Sequence, residues 1–153
     1  MDRSTFVYVT YIRTTPERLW SALTEPEFMK QYWFGMHGES RWTAGSPWKL
    51  VASDGKTAAI GEIVESDPPK RLVFRWQDKL VPEREAEGPS LCTMELSPDS
   101  NAVKLSITHT IEHKDSKVIV AVSGGWPKVL SNLKTFLETG SAAIAPAVPR
   151  TGG

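Results

Sequence analysis

Cysteine is nearly missing from this sequence. Cys92 stands alone in 153 residues, which excludes an internal disulfide and any thiolate cluster for zinc or iron–sulfur, and suits a reducing cytoplasm. Excess charge is missing too: 18 Lys and Arg balance 18 Asp and Glu, so no long-range field gathers phosphates and nucleic acid is excluded as a partner class. No apolar run approaches the ~20 residues of a membrane span. The N-terminal stretch MDRSTFVYVTYI carries acid and base ahead of its apolar part and shows no signal-peptide pattern.

Catalytic signatures are equally sparse. His37, His109 and His113 are the only histidines and no pair has ligand spacing, so neither metal nor cofactor is expected. There is no Gly-x-Ser-x-Gly elbow, and Cys92 sits mid-strand facing inward, where a thiol is inert filler. Gly124-Gly125 precedes a helix but lacks the Gly-Lys-Ser/Thr context of a phosphate loop. Glu62 and Glu65 lie three apart on one predicted strand, and alternation sends their carboxylates to opposite faces, which rules out an acid–base pair.

Tryptophan, in contrast, is abundant: Trp20, Trp33, Trp42, Trp48, Trp76 and Trp126. Each brings roughly 150–250 Å² of surface to bury and an indole N–H that wants a partner. Core filling and a ligand cavity would both use such residues. A chain of 17.0 kDa fits one domain, expected over residues 1–140, with a mobile proline-bearing tail at 141–153.

Phe6–Ile12 is β-branched and aromatic and reads as a strand. Thr15 offers a side-chain N-cap and Pro16 a preset first helical φ, while Pro26 opens a second short helix whose Phe28, Met29, Tyr32 and Trp33 share a face. From Glu39 to about Leu96, turn chemistry at Ala44–Pro47, Ser53–Lys56 and Asp67–Lys70 separates short runs, the mark of an antiparallel sheet. Leu72, Phe74 and Trp76, then Cys92, Met94 and Leu96, then Val103, Leu105, Ile107 and His109 alternate with polar neighbours and define an inward face. The last helix places Trp126, Val129, Leu130, Leu133, Phe136 and Leu137 on one stripe and Asn132 with Lys128 and Lys134 on the polar side, with Pro127 tolerable only in its first turn and Gly140 a natural stop. Val118–Val122 fits a strand by its β-branching, and a loop or an extra helical turn by its place before Gly124-Gly125. One strand, two short helices, about six strands and a long helix make an α+β protein.

Pro16-Glu17-Arg18-Leu19-Trp20 with Ala22-Leu23-Thr24, Trp33, Gly61-Glu62 through Asp67-Pro68-Pro69 to Trp76, Leu105–His109, and Gly125-Trp126 with Leu133-Lys134 and Leu137-Glu138 occur in an order that resembles the START-like (SRPBCC) helix-grip superfamily. Within it, the sequence is similar to the C-terminal domain of activators of heat-shock protein 90 ATPase. The resemblance spans about residues 5–140 and implies a curved antiparallel sheet wrapped around the C-terminal helix, with a cavity between them. Two features depart from the pattern: a glycine pair before the third strand is reduced to Gly45, and Asp78–Ser90 is a long charged connection, either a cover for the cavity mouth or a solvated hairpin.

The expected cavity wall is Trp33, Phe74, Trp76, Met94, Leu96, Ile107, His109, Trp126, Leu130 and Leu133. A dry void of ~300 Å³ would cost roughly 7 kcal/mol at about 24 cal/mol per Å³, so a cavity of that size is occupied, wet or packed shut. Two readings of His109 stand: a polar group orienting a ligand, or a core histidine bonded to its neighbours. The leading functional expectation is binding of a small apolar molecule. Its alternatives are an enzyme of cyclase, dehydratase or hydrolase type using the same cavity through His109, and an activator of heat-shock protein 90 ATPase. Activators in the strict sense carry a further N-terminal domain, which weighs against the last. An exposed edge strand leaves pairing into a homodimer open.

Overall fold

The structure is a computed structural model and describes residues 3–144. β1 (Ser4–Ile12) leads to α1 (Pro16–Thr24) and α2 (Pro26–Tyr32). Then come β2 (His37–Ser40), β3 (Pro47–Val51), β4 (Thr57–Asp67), β5 (Arg71–Asp78), the one-turn α3 (Pro82–Glu85), β6 (Ser90–Asp99), β7 (Ala102–Ile111) and α4 (Lys117–Thr139). The seven strands pair antiparallel in the order β1-β7-β6-β5-β4-β3-β2, the curved sheet and long helix that the helix-grip resemblance implied.

Local chemistry accounts for the short helices. Thr15 Oγ1 accepts from the Arg18 N–H at 3.2 Å, and proline stands at the start of both α1 and α2, where its missing N–H costs no hydrogen bond. Leu19, Ala22, Leu23, Met29 and Tyr32 then turn into the core. On the sheet, burial alternates along β6 and β7 as the sequence pattern requires, with Cys92, Met94, Leu96, Val103, Leu105 and Ile107 all buried.

Gly61 lets β4 and β5 approach. A Cβ there would stand 1.9 Å from the carbonyl oxygen of Arg75, a distance no side chain tolerates. Two residues further on, the β4–β5 register slips between Ile63 and Glu65. This bulge overturns the parity argument for Glu62 and Glu65, because an extra residue returns the chain to the face it left. Glu62 meets Arg75 at 3.6 Å and Glu65 meets Arg71 at 2.8 Å, and Arg71 also holds Glu95. Both carboxylates therefore lie on the outer face, engaged with arginines and open to solvent.

α4 differs most from expectation. It begins at Lys117, so Val118–Val122 forms its first turns and Pro127 lies in its interior instead of its opening turn. The cause is a cap from a distant segment. Ser116 Oγ accepts from the Ile119 N–H at 3.1 Å, while Glu87 accepts from the N–H groups of Lys117 and Val118 and from the Ser116 hydroxyl. Four otherwise orphaned groups are satisfied in this way, and the carboxylate sits at the positive end of the helix dipole. Burial alone pushes the Glu87 carboxyl up, but these hydrogen bonds outweigh it and hold the group below its ordinary range. Val118, Ile119, Val122, Trp126, Val129, Leu130, Leu133 and Leu137 continue one apolar stripe from end to end.

Asn132, expected on the polar side, is buried. Its amide donates to the carbonyls of Tyr32 and Ile144 and its oxygen accepts from the Ile144 N–H, which ties α4 to the end of α2 and to the chain beyond Gly140. Residues 145–153 of the expected mobile tail lie outside the described residues. α4 also covers part of the free edge of β1, where Lys134 Nζ donates to the Tyr11 carbonyl and Glu138 accepts from the Arg13 N–H. An edge blunted in this way is a poor template for further strands. No described helix is long and apolar enough to cross a membrane.

Candidate functional site

The aromatic residues scattered through the sequence converge under the first half of α4. Trp33, at the end of α2, lies 5.4 Å from Trp126 on α4 and 6.3 Å from Trp76 on β5, between ring centroids. Trp76 in turn lies 5.3 Å from Trp48 on β3 and 5.9 Å from Trp126. Offset and tilted pairs at these separations are attractive beyond the area they bury. Four of the six tryptophans thus form one body. Trp20 and Trp42 pack against the same core from its margin.

A cavity of about 200 Å³ opens beside this body. Its walls are Trp33, Met36, Leu50, Ala58, Trp76, Trp126 and Val129, with Val118, Ala121, Val122 and Gly125 from the first turns of α4 and Asp78, Leu80 and Arg84 from the β5–β6 connection. Gly125 borders it without a side chain, and a Cβ placed there would meet nothing within 4 Å. Deeper in, a residual void of about 10 Å³ lies among Trp33, Phe74, Met94, Trp126 and Leu130. That is about the least space that holds one water. A wider, shallower groove of about 970 Å³ runs along β2, β3 and the turn between them, from Glu39 to Gly61, and contains none of the expected wall residues.

Of the ten expected wall residues, Trp33, Trp76 and Trp126 line the cavity, and Phe74, Met94 and Leu130 join Trp33 and Trp126 around the small void beneath it. Leu96, Ile107, His109 and Leu133 line neither and are packed into the core. A larger side chain at Leu133 would strain that core instead of filling a cavity. Sequence reasoning missed Gly125, Val118, Val122, Leu80 and Arg84 because it began the last helix too late and named no wall residue on the β5–β6 connection, which it read as either a cover for the cavity mouth or a solvated hairpin.

His109 is wholly buried, and both ring nitrogens are occupied. The Trp126 indole N–H donates to Nδ1 at 3.1 Å, so Nδ1 carries no proton and Nε2–H donates to Ser90 Oγ at 2.7 Å. Ser90 passes its own proton to the Trp76 carbonyl at 3.1 Å. Burial lowers the imidazole to a pKa of about 4, so the ring is neutral at pH 7 and serves as a polar pin holding two cavity walls, Trp76 and Trp126, in place. Cys92 is sealed in the core and burial raises its thiol far above the usual range, as expected of inert filler. No group of three or more His, Cys, Asp and Glu among the described residues is placed to hold a metal ion.

The β5–β6 connection forms the rim. Asp78, only 7% exposed, accepts from the N–H groups of Leu80 and Val81 and from Arg84 at 3.3 Å. Gln77 donates to the Glu85 carbonyl and Lys79 pairs with Glu85. At its far end the same connection delivers Glu87 to the start of α4. The charged segment is thus a strap laid over the cavity and fastened at both ends.

Such a fold and cavity define a helix-grip protein with a small, largely apolar chamber. The family model described as activator of Hsp90 ATPase homolog 1-like protein matches residues 13–138, and the chain belongs to that family. A protein of Mesorhizobium loti shares the fold at 23% identity with a TM-score of 0.76, over 88% of this chain and 97% of its own. An HSP90 activator from Plasmodium falciparum is similar at 23% identity and a TM-score of 0.69, over 88% of this chain and 96% of its own. The Aha1 dimer from Colwellia psychrerythraea is similar at 21% identity and a TM-score of 0.69, over 90% of this chain and 98% of its own. No curated protein matches the sequence.

Proposed function

We propose that this protein binds a small apolar molecule in the cavity between α4, β5 and the β5–β6 strap. The observation that carries the reading is a chamber of about 200 Å³ bounded by three tryptophans and by a glycine that leaves helix surface bare. A cavity of ~150 Å³ lined by Leu, Ile and Phe holds benzene, so the occupant is of one-ring size, below the ~300–1,000 Å³ of drug-sized sites. The neutral, doubly bonded His109 favours binding over proton transfer.

Titration with toluene, followed through the indole Nε1–H resonances, tests the reading. The signals of Trp33, Trp76 and Trp126 shift in a saturable way while that of Trp20 does not. An unchanged spectrum up to the solubility limit removes the reading.

A second reading has the support of the family itself: an activator of heat-shock protein 90 ATPase. Adding the protein to the chaperone would raise its ATP turnover, and turnover that stays at its basal value at saturating protein disposes of this reading.

A further inference from the structure

Hydrogen-bond donors border the cavity, and its one carboxylate is already spoken for. Asp78 is held by three donors, the N–H groups of Leu80 and Val81 and the Arg84 guanidinium. Arg84 uses a single nitrogen, Nη1, in that pair, and its side chain is 33% exposed at the rim. Of a guanidinium's five N–H donors, the rest have no partner among the described residues. Of the strap's other charges, Lys79 pairs with Glu85 and Glu87 caps the start of α4, while Glu83 is exposed and does not line the cavity.

Two more donors belong to the walls. Trp126 spends its indole N–H on His109, but those of Trp33 and Trp76 have no hydrogen-bond partner among the described residues. Neither is sealed: the one sealed side-chain polar atom without a partner among the described residues is Thr14 Oγ1. Trp33 is nevertheless 94% buried, being 6% exposed, and it borders the cavity and the void below. A nearly enclosed donor with no protein partner is open to water or to an acceptor that a ligand brings.

We infer that the cavity selects a small aromatic acid, its ring among Trp33, Trp76 and Trp126 and its carboxylate at Arg84. This rests on the reading of the chamber as an apolar binding site and adds the polarity of the occupant. A carboxylate meets a guanidinium with free donors in a fixed fork. An ammonium of the same shape would meet the like charge of Arg84, where the lining's one carboxylate, Asp78, already holds three donors. A pure hydrocarbon would fill the ring site and leave the donors to water.

Calorimetric titration with cinnamate, cinnamamide, cinnamylamine and trans-β-methylstyrene separates these cases, because the four share one body and differ at one end. Cinnamate binds about tenfold or more tightly than cinnamamide, in line with charge-assisted hydrogen bonds, and cinnamylamine binds weakest. Arg84→Gln brings cinnamate down to the level of cinnamamide, Arg84→Lys keeps part of the preference, and Trp76→Phe weakens acid and amide together. Arg84 lies on an exposed single turn, and circular dichroism of each variant confirms that the fold is retained. Wild-type protein that binds trans-β-methylstyrene or cinnamylamine as tightly as cinnamate, or an Arg84→Gln variant that keeps the acid preference, overturns the inference while the apolar-site reading stands. Binding of none of the four overturns both.

Discussion

Replacing Gly125 by leucine sets stability and binding against each other. Glycine in the middle of a helix is less favourable than alanine by about 0.8–1 kcal/mol, and leucine is nearly as good as alanine. A Cβ at position 125 meets nothing within 4 Å, and the residue borders the cavity of about 200 Å³. Leucine's four side-chain carbons, each needing about the 30 Å³ that a water claims in the liquid, would fill more than half of that space against Trp126 and Trp76. Stability rises by about 1 kcal/mol or more, which raises Tm by roughly 2–4 °C for a chain of this size, while affinity for a one-ring ligand falls at least about tenfold through lost apolar contact. Gly124→Leu is the control, since Gly124 is exposed, equally unobstructed and does not border the cavity. It stabilises the helix and leaves binding alone. Differential scanning fluorimetry and calorimetric titration of cinnamate read both effects. A Gly125→Leu protein that melts lower than wild type shows that the space is not free, and one that melts higher but binds as before shows that the ligand lies elsewhere.

Three further perturbations probe the frame around the site. Burial holds His109 at a pKa of about 4 in the folded protein, against about 6.5 unfolded. The unfolded chain therefore takes up the proton first, and stability is full above about pH 6.5 and is lost as pH falls toward 4. Urea midpoints should report a loss of about 2 kcal/mol between pH 7 and pH 5 that His109→Gln removes, and identical slopes for the two proteins would contradict the buried neutral ring. Glu87→Gln keeps the shape of the α4 cap but removes its charge, and should lower stability by about 1 kcal/mol at low salt and less at high salt, measured by urea denaturation; an unchanged midpoint would mean that the charge contributes nothing. Gly61→Ala drives a Cβ into the Arg75 carbonyl and should cost more than about 3 kcal/mol, seen as insoluble expression or a collapsed Tm. A well-folded Gly61→Ala protein would refute the close approach of β4 and β5.

Much of the frame could be read from residues acting on their near neighbours. Thr15 with Pro16, and Pro26, start helices through contacts within one turn, and the alternation in β6 and β7 carries its own face assignment. What escaped reading depends on contacts between distant segments. Glu87 reaches α4 across 30 positions, and without it the β-branched Val118–Val122, the paired glycines and Pro127 argue for a helix that starts later. The bulge after Ile63 arises from the β4–β5 pairing and brings Glu65 to the same face as Glu62, although strict alternation along the chain predicts opposite faces. Three cavity tryptophans were legible because large aromatics on inward faces must bury somewhere. Gly125 and Arg84 were not: one matters for the side chain it lacks, the other for a strap whose fastening points lie at its two ends. The Gly124-Gly125 pair carried a usable signal, since glycines within a crowded apolar stripe mark where a helix leaves room for something else.

The central claim, that the chamber beneath α4 is a binding site for a small molecule, is tested most directly by native mass spectrometry of gently purified protein beside its denatured mass. The account predicts an added mass of one-ring size that disappears on denaturation and is absent from the Gly125→Leu variant. An added mass that persists unchanged in Gly125→Leu, or a clean apo mass that stays clean after incubation with saturating cinnamate, would contradict it.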